Sequence, residues 1–358
     1  MSQTLYFSIS GVLLLEWQNI SWTPVPSFNL LYDGFLCAEK PRGEFPFYLV
    51  VQQGRPPMGN RNRLIRTAHN FSVGEDMVCC GHRHNKIRWT SWLGNFPVEG
   101  GQSMAGKTVR VWYEFSNNKR SVWPWMFFPE LLVCFHVVQP VIEWLLMGRD
   151  IFFLHAGAVE KEGKALLLAG RGGVYKTSHI ISLLQQGWSF LSDDLVILRD
   201  AMIWPTPLHV SFFDYFFRHC PDEKLTWVRM LGSFFWLRRK SPLGFAVGRP
   251  AFPGAINIIL RKNDHQSLEW SDRPFDDHVA RMLIASDRLE KLNFNELSEV
   301  RGRMFLHLDQ CRGTSLWENY WHRYETAILK AFQGVPCRVI RMNPEQFEAG
   351  NIDYILAG

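Results

Sequence analysis

A chain of 358 residues has room for two domains or one large one, and its 47% hydrophobic and 20% charged residues are an ordinary globular balance. The net charge of +5 suits an anionic ligand but leaves no nucleic-acid footprint, and no basic block with a known DNA- or RNA-binding motif occurs. Seven scattered cysteines, and a start (MSQTLYFSISGVLLLEW) without a basic segment ahead of its apolar run, argue against a secreted disulfide scaffold and predict reduced thiols in a cytoplasm. The 15 Trp and 27 Phe imply a large aromatic core, a peptide-binding surface, or both.

Residues 1–126 predict a strand-rich accessory domain. YFSISGVLLLEW, FPFYLVVQQG and TVRVWYEFS are β-branched and aromatic runs broken by Pro, Gly and Asn. Residues 53–110, between the last two runs, read as polar and irregular. Within them Cys79-Cys80-Gly81-His82-Arg83-His84 invites a zinc reading. The spacing suits zinc poorly, because adjacent cysteines are not paired ligands and no second pair lies nearby, so the segment reads as a loop with free thiols. Residues 127–147 are the most apolar stretch, but Glu130, His136 and Glu143 make a membrane span costly. A buried helix from Pro129 to Met147, stopped by Gly148, is the expectation.

The chain is organised around residues 151–198. Two apolar runs, IFFLHAGAV and ALLLAG, are joined by a charged turn; a glycine-rich loop follows, then an amphipathic stretch ending at Gly187, then an apolar run split by two aspartates. This predicts strand, turn, strand, phosphate loop, helix, strand. The loop, Gly170-Arg171-Gly172-Gly173-Val174-Tyr175-Lys176-Thr177 with Ser178 behind it, nearly fits GxxxxGK[ST]. Its glycines let backbone N–H groups approach phosphate oxygens, and the helix N-terminus adds partial positive charge. Lys176 would reach the outer phosphates of ATP, and the Thr177 hydroxyl would ligate Mg²⁺. Tyr175 stands where the second motif glycine belongs; a positive φ there costs a non-glycine residue roughly 1–2 kcal/mol. Gly172 and Gly173 are the alternative places for the turn. Asp193 and Asp194 end the next strand, where ligands sit in open α/β sheets, and offer the two carboxylates phosphoryl transfer needs: one for metal, one for the hydroxyl proton. A lone histidine in an apolar strand is often a satisfied core residue, but the neighbouring aspartates favour a site role for His155. His179 reads as a helix surface residue.

His155, the Gly170–Thr177 loop, the Gly-Trp after the helix and the Ser192-Asp193-Asp194 ahead of LVIL resemble the core of the HPr kinase/phosphorylase family. They are most similar to its divergent relatives found with peptide-modification genes, such as those for lasso peptides. The ordered match covers about fifty residues (LHAGAV, loop, QGW, SDDLV). The resemblance implies a fold related to phosphoenolpyruvate carboxykinase, Asp194 as general base for a serine hydroxyl, His155 close to it, and Lys176 and Thr177 on phosphates and Mg²⁺. It also implies a downstream arginine, for which Arg249 in GRPAFPGAINIIL is the candidate, and an expectation of self-association as a homo-oligomer. Residues 201–215 (AMIWPTPLHVSFFDY) lack the family's second, glutamate-bearing signature, so phosphorylase activity is not implied.

WPTPLHVS predicts a turn and short strand. Residues 210–248 interleave aromatics with Arg229, Arg238, Arg239 and Lys240; a flap over peptide and phosphates, a helical aromatic core and a membrane-surface patch are the readings it allows. GAINIILRKN predicts a buried strand, DDHVARMLIASDRLEKL and SLWENYWHRYETAILKAFQG two helices, VPCRVIRM a last strand and EQFEAGNIDYILAG a helix or coil. The expectation is an α/β protein: a strand-rich domain over residues 1–126 and a P-loop kinase domain over 127–358. The expected activity is ATP- and Mg²⁺-dependent phosphorylation of a serine-type hydroxyl on a peptide or protein. A non-catalytic nucleotide-binding regulator, a peptide-binding scaffold and a small-molecule kinase are the alternatives.

Overall fold

The structure, a computed structural model, describes residues 3–20, 36–37, 39–57, 64–68, 71–74, 77–84, 87–94, 108–116, 133–206, 247–261, 268–292, 295–312, 314–343 and 353–356. The aromatic and basic stretch 210–248 lies outside the described residues apart from its last two. The protein is mixed α/β, with two large mixed sheets and several helices. It divides into two compact units, one of residues 1–149 and 294–321, the other of residues 150–293 and 322–358. The sequence reading draws its boundary at residue 126 instead, and treats the second part as continuous.

The first unit holds a nine-stranded sheet of β1 (Gln3–Ile9), β2 (Leu13–Ile20), β3 (Leu36–Cys37), β4 (Phe47–Gln53), β5 (Ile65–Ala68), β6 (Phe71–Val73), β7 (Met77–His84), β8 (Ile87–Gly94) and β9 (Thr108–Phe115). The order is β3-β1-β2-β4-β9-β8-β7-β6-β5. Four of these strands fall in the segment read as irregular. Their apolar residues alternate with Ser, Thr, Arg and His, and cross-strand pairing compensates for the weak pattern. Cys79-Cys80-Gly81-His82-Arg83-His84 is therefore strand β7, not a loop. Alternation turns Cys79 and Cys80 to opposite faces. The His82 ring stacks on Trp89 with centroids 4.9 Å apart, and its Nε2 lies 2.7 Å from Ser91 Oγ.

Before the second unit comes α1 (Gln139–Met147), entered through a π-helical turn, Cys134–Val138. Pro140 has no N–H to continue the ladder, and the Gln139 N–H reaches back five residues to Cys134. Gly148 caps the helix at φ −61°, an ordinary helical value. A side chain there would be crowded instead, since a Cβ would lie 3.2 Å from Leu145 O and 3.3 Å from Phe47 Cζ. No helix among the described residues is long and apolar enough to cross a membrane.

The second unit is built on β10 (Phe152–Lys161), β11 (Lys164–Ala169), α2 (Lys176–Gln185), β12 (Ser189–Ser192), β13 (Leu195–Arg199), β14 (Met202–Trp204), β15 (Phe252–Arg261), β16 (Glu269–Pro274) and α3 (Asp277–Leu292). The chain then supplies α4 (Asn295–Arg312) to the first unit and returns through α5 (Tyr320–Phe332), β17 (Pro336–Met342) and α6 (Asp353–Leu356). The sheet runs β14-β13-β10-β11-β15-β17-β16, with β12 also on β10. Glu162 (φ 55°) and Gly163 (φ 77°) make the tight turn between β10 and β11, a two-residue hairpin with both central residues left-handed. β11, β15 and β17 are parallel, and residues 165–169, 256–259 and 337–340 are buried, as in strands covered on both faces; Asn257 and Arg338 interrupt their apolar runs. β16 is an exposed polar edge strand, held by its pairing to β17 rather than by any apolar pattern. α5 starts later than its sequence suggests because residues 316–319 form a turn ahead of it.

In the first unit, buried Asp309 on α4 binds its surroundings at three points. Its Oδ1 accepts from Trp144 Nε1 of α1 at 3.0 Å and from Thr314 Oγ1 at 2.8 Å, and its Oδ2 accepts from the Trp317 N–H at 2.7 Å. Asp309→Ala strands the buried Trp144 indole N–H and removes the acceptor of two partly buried donors; it should cost about 3 kcal/mol and lower the melting temperature by roughly 6–12 °C in a thermal scan.

Candidate functional site

β10 is paired along both edges. On one side Ala156 sits opposite Ala169, the last residue of β11 before the glycine loop. On the other side Ala158 faces Ser192 of β12 and His155 faces Leu195 of β13. The register is continuous across the interruption, so Asp193 and Asp194 pass alongside Gly157 and Ala156. Ser192 braces the turn: its Oγ donates to Leu195 O at 2.5 Å and accepts from the Leu195 N–H at 3.2 Å. Gly157 is required here, because a Cβ would meet Asp193 O at 2.9 Å. The adjacent aspartates are sorted by this turn. Asp193 is buried, and Asp194 is 60% exposed.

The loop leaves β11 through Gly170 at φ 155°, where a Cβ would lie 2.5 Å from Ile259 O of the parallel strand β15. Gly173 turns at φ 83°, and Tyr175 does adopt the left-handed conformation, at φ 59° and ψ 27°. Both possibilities raised by the sequence are used: a glycine absorbs part of the turn, and the tyrosine carries the rest at a cost of roughly 1–2 kcal/mol. Val174 is buried among Leu166, Leu168 and Ile259, so it can offer a ligand its backbone alone. A Cβ at Gly172 or Gly173 would meet nothing within 4 Å, and no side chain caps the N-terminus of α2. That leaves an open cradle of backbone at a positive helix end, with Thr177 half-buried and Ser178 buried in the first turn.

Lys176 and His155 join the two edges of β10. Lys176 Nζ donates to Gly170 O at 2.6 Å and to Arg171 O at 3.4 Å, and lies 3.0 Å from His155 Nε2. An ammonium only donates, so Nε2 accepts and the proton sits on Nδ1. That Nδ1 faces Asp194 Oδ1 at 3.3 Å. The result is a chain of alternating charge and dipole, Asp194 to His155 to Lys176, laid over the loop. The His155 main-chain N–H donates to Asp287 Oδ1 of α3 at 2.8 Å.

The structure thus brings together His155, Lys176 and Asp194, with Asp193 and Thr177 on the elements beside them. It does not bring Arg249 there. β15 runs parallel to β11 with Lys164 opposite Phe252 and Ala169 opposite Ile258. Arg249 precedes Phe252, so it lies at the far end of the sheet, roughly 17 Å or more of strand from the loop. Arg261, exposed at the end of β15, lies two residues past Ile259, whose carbonyl faces Gly170, and so joins Arg171 at the loop end of the sheet.

Two further residues escape the sequence reading. Asp287 continues the buried stripe Val279, Ala280, Leu283 of α3, and a carboxylate in such a stripe is the signal it leaves. His179 is fully buried rather than on the surface. Its Nδ1 lies 2.7 Å from Tyr175 O and its Nε2 2.5 Å from Tyr354 OH.

Among the described residues no group of three or more His, Cys, Asp and Glu side chains is placed to hold a metal ion. A nucleotide-bound Mg²⁺ takes most of its ligands from phosphate and water, so one hydroxyl and one carboxylate suffice from the protein. Comparison with protein-family models and with curated protein sequences finds no match to the chain.

Two measurements probe this geometry. Gly157→Ala pushes against the Asp193 carbonyl and should cost about 2 kcal/mol in denaturant unfolding, the usual size of an overpacking penalty. Burial pushes the His179 imidazole down from 6.5 to about 4, against a smaller raising effect from its bond to Tyr175. Between these values the unfolded chain binds a proton that the folded chain refuses. Stability contributed by neutral His179 is therefore full above pH 6.5 and lost as pH falls through about 4, by about 3 kcal/mol in all. In urea titrations at pH 7 and pH 4, His179→Gln should show a correspondingly smaller acid loss than wild type.

Proposed function

We propose that the chain is an ATP-dependent kinase of the HPr-kinase-like type, acting on a serine-type hydroxyl of a peptide or protein. The observation that carries this reading is the Asp194–His155–Lys176 chain laid over a glycine loop at a helix N-terminus. It sets a phosphate-seeking cation and an exposed carboxylate on opposite sides of one histidine. The order of strand, hairpin, loop, helix and aspartate turn is the one that the resemblance implies, and it supports the finer assignment to the HPr kinase and phosphoenolpyruvate carboxykinase fold. The peptide acceptor rests on the resemblance alone.

Lys176 and the N–H groups of the loop hold the nucleotide phosphates, Lys176 giving up the Gly170 carbonyl for them. Thr177 and Asp193 would hold Mg²⁺, directly or through water; Mg²⁺ supplies charge neutralisation on the phosphate oxygens. Asp194 accepts the proton of the attacking hydroxyl, and its exposure lets that hydroxyl approach within hydrogen-bond reach. His155 presents Nδ1–H to Asp194 and keeps its carboxylate turned to the loop. Arg171 in the loop and Arg261 at the loop end of β15 are the candidates to meet charge on the transferring phosphoryl group.

The test is Mg²⁺-ATP binding and phosphate release with a panel of serine-containing peptides. Lys176→Ala should weaken binding about 10- to 100-fold, the size of losing charge-assisted bonds. Asp194→Asn should bind nearly as wild type yet lower kcat by about 10²- to 10⁴-fold. A wild type that binds no nucleotide overturns the reading. One that binds without turnover on any acceptor leaves a nucleotide-binding regulator, which the inward turn of Lys176 onto Gly170 O also suits.

A further inference from the structure

The short helix α6 has no stability of its own, since four residues make barely one hydrogen-bonded turn. It is held by bonds to two strand residues that are register partners. Asn257 Nδ2 of β15 donates to Ile355 O at 3.0 Å, and Arg338 Nη1 of β17 donates to Tyr354 O at 2.7 Å. Arg338 is itself fixed by a two-point fork to Asp272, with Nε to Oδ1 at 2.5 Å and Nη2 to Oδ2 at 2.6 Å. Tyr354 and Ile355 complete the apolar cluster that contains Val174, Ile180 and Ile181.

From this anchor the Tyr354 phenol reaches the phosphate loop. The Tyr175 carbonyl can only accept, so the His179 Nδ1 facing it at 2.7 Å carries the proton. His179 Nε2 is then an acceptor, and the Tyr354 hydroxyl donates to it across 2.5 Å. Tyr175 O also accepts the His179 main-chain N–H at 3.1 Å. Both bonds converge on the one residue that closes the loop in a left-handed conformation, φ 59°. Where Tyr175 points its carbonyl decides where the N–H groups of the next turn point.

We infer that residues 353–356 form a strap that sets the shape of the phosphate loop, with Tyr354 as a positioning residue acting through His179 on Tyr175. The inference rests on the reading of the loop as a nucleotide site. By linkage, nucleotide on the loop and the strap on the sheet stabilise each other.

Tyr354→Phe keeps the ring in the core and removes only the donor. Hydrogen exchange on the nucleotide-free full chain is the first readout. The variant should exchange the amides of residues 172–178 faster than wild type, with those of β10 unchanged. The second readout is Mg²⁺-ATP. Its KM should rise about three- to tenfold while kcat stays within about twofold, and nucleotide should slow exchange at residues 353–356 in wild type but not in the variant. Loop amides that exchange alike in both proteins overturn the strap, whether or not nucleotide binds. Faster loop exchange in a protein that binds no nucleotide keeps the strap and rejects the nucleotide reading instead.

Discussion

The double pairing of β10 is the constraint on which the site depends. One edge of this strand fixes where β11 ends and the glycine loop begins; the other fixes where the two aspartates leave the sheet. A slip of one residue along either edge would turn every side chain of the partner strand to the wrong face. Because β10 and β11 are buried over nearly their whole length, pattern alone does not fix their register; the two-residue turn at Glu162 and Gly163 does. The separation between loop lysine and exposed aspartate is thus set by backbone hydrogen bonds in a rigid sheet, and His155 fills the gap.

Two glycines make this spacing possible by having no side chain, in different ways. Gly157 lets the aspartate turn lie directly on β10, and its own backbone dihedral is unremarkable. Gly170 needs both its freedom, at φ 155°, and its smallness against Ile259 O. The motif comparison assigns significance to Gly170 but not to Gly157, whose role appears only when the neighbouring strand is in place.

The legible part of the chain is the part whose contacts are local. Residues 151–198 read correctly as strand, turn, strand, loop, helix and split strand because each element is followed in sequence by the one it packs on. The errors lie where distant residues decide. The sequence around His179 marks a helix surface because nothing near it in sequence covers it; Tyr354, 175 residues on, does. Arg249 precedes a strand as expected, but whether that strand's start or end faces the loop depends on its being parallel to β11, which no local pattern records. In β5 to β8, His, Arg, Ser and Cys dilute the alternation that marks a strand, and the pairing of these strands with one another stabilises what intrinsic preference does not.

Tyr175 joins these two lessons. A glycine there would turn left-handed without strain, whereas the tyrosine forfeits roughly 1–2 kcal/mol to do so. The protein offsets that cost with interactions beyond the ordinary helix bond from the His179 main-chain N–H: a bond from His179 Nδ1 to the tyrosine carbonyl, and packing of the ring on the core cluster that α6 completes. A glycine loop is shaped by its own freedom and can relax when its ligand leaves. A tyrosine loop is shaped by its surroundings and holds its form only while they stay in place. The departure from the phosphate-loop pattern is for this reason better understood as a transfer of control than as decay: the conformation of the loop becomes answerable to a segment far away in sequence.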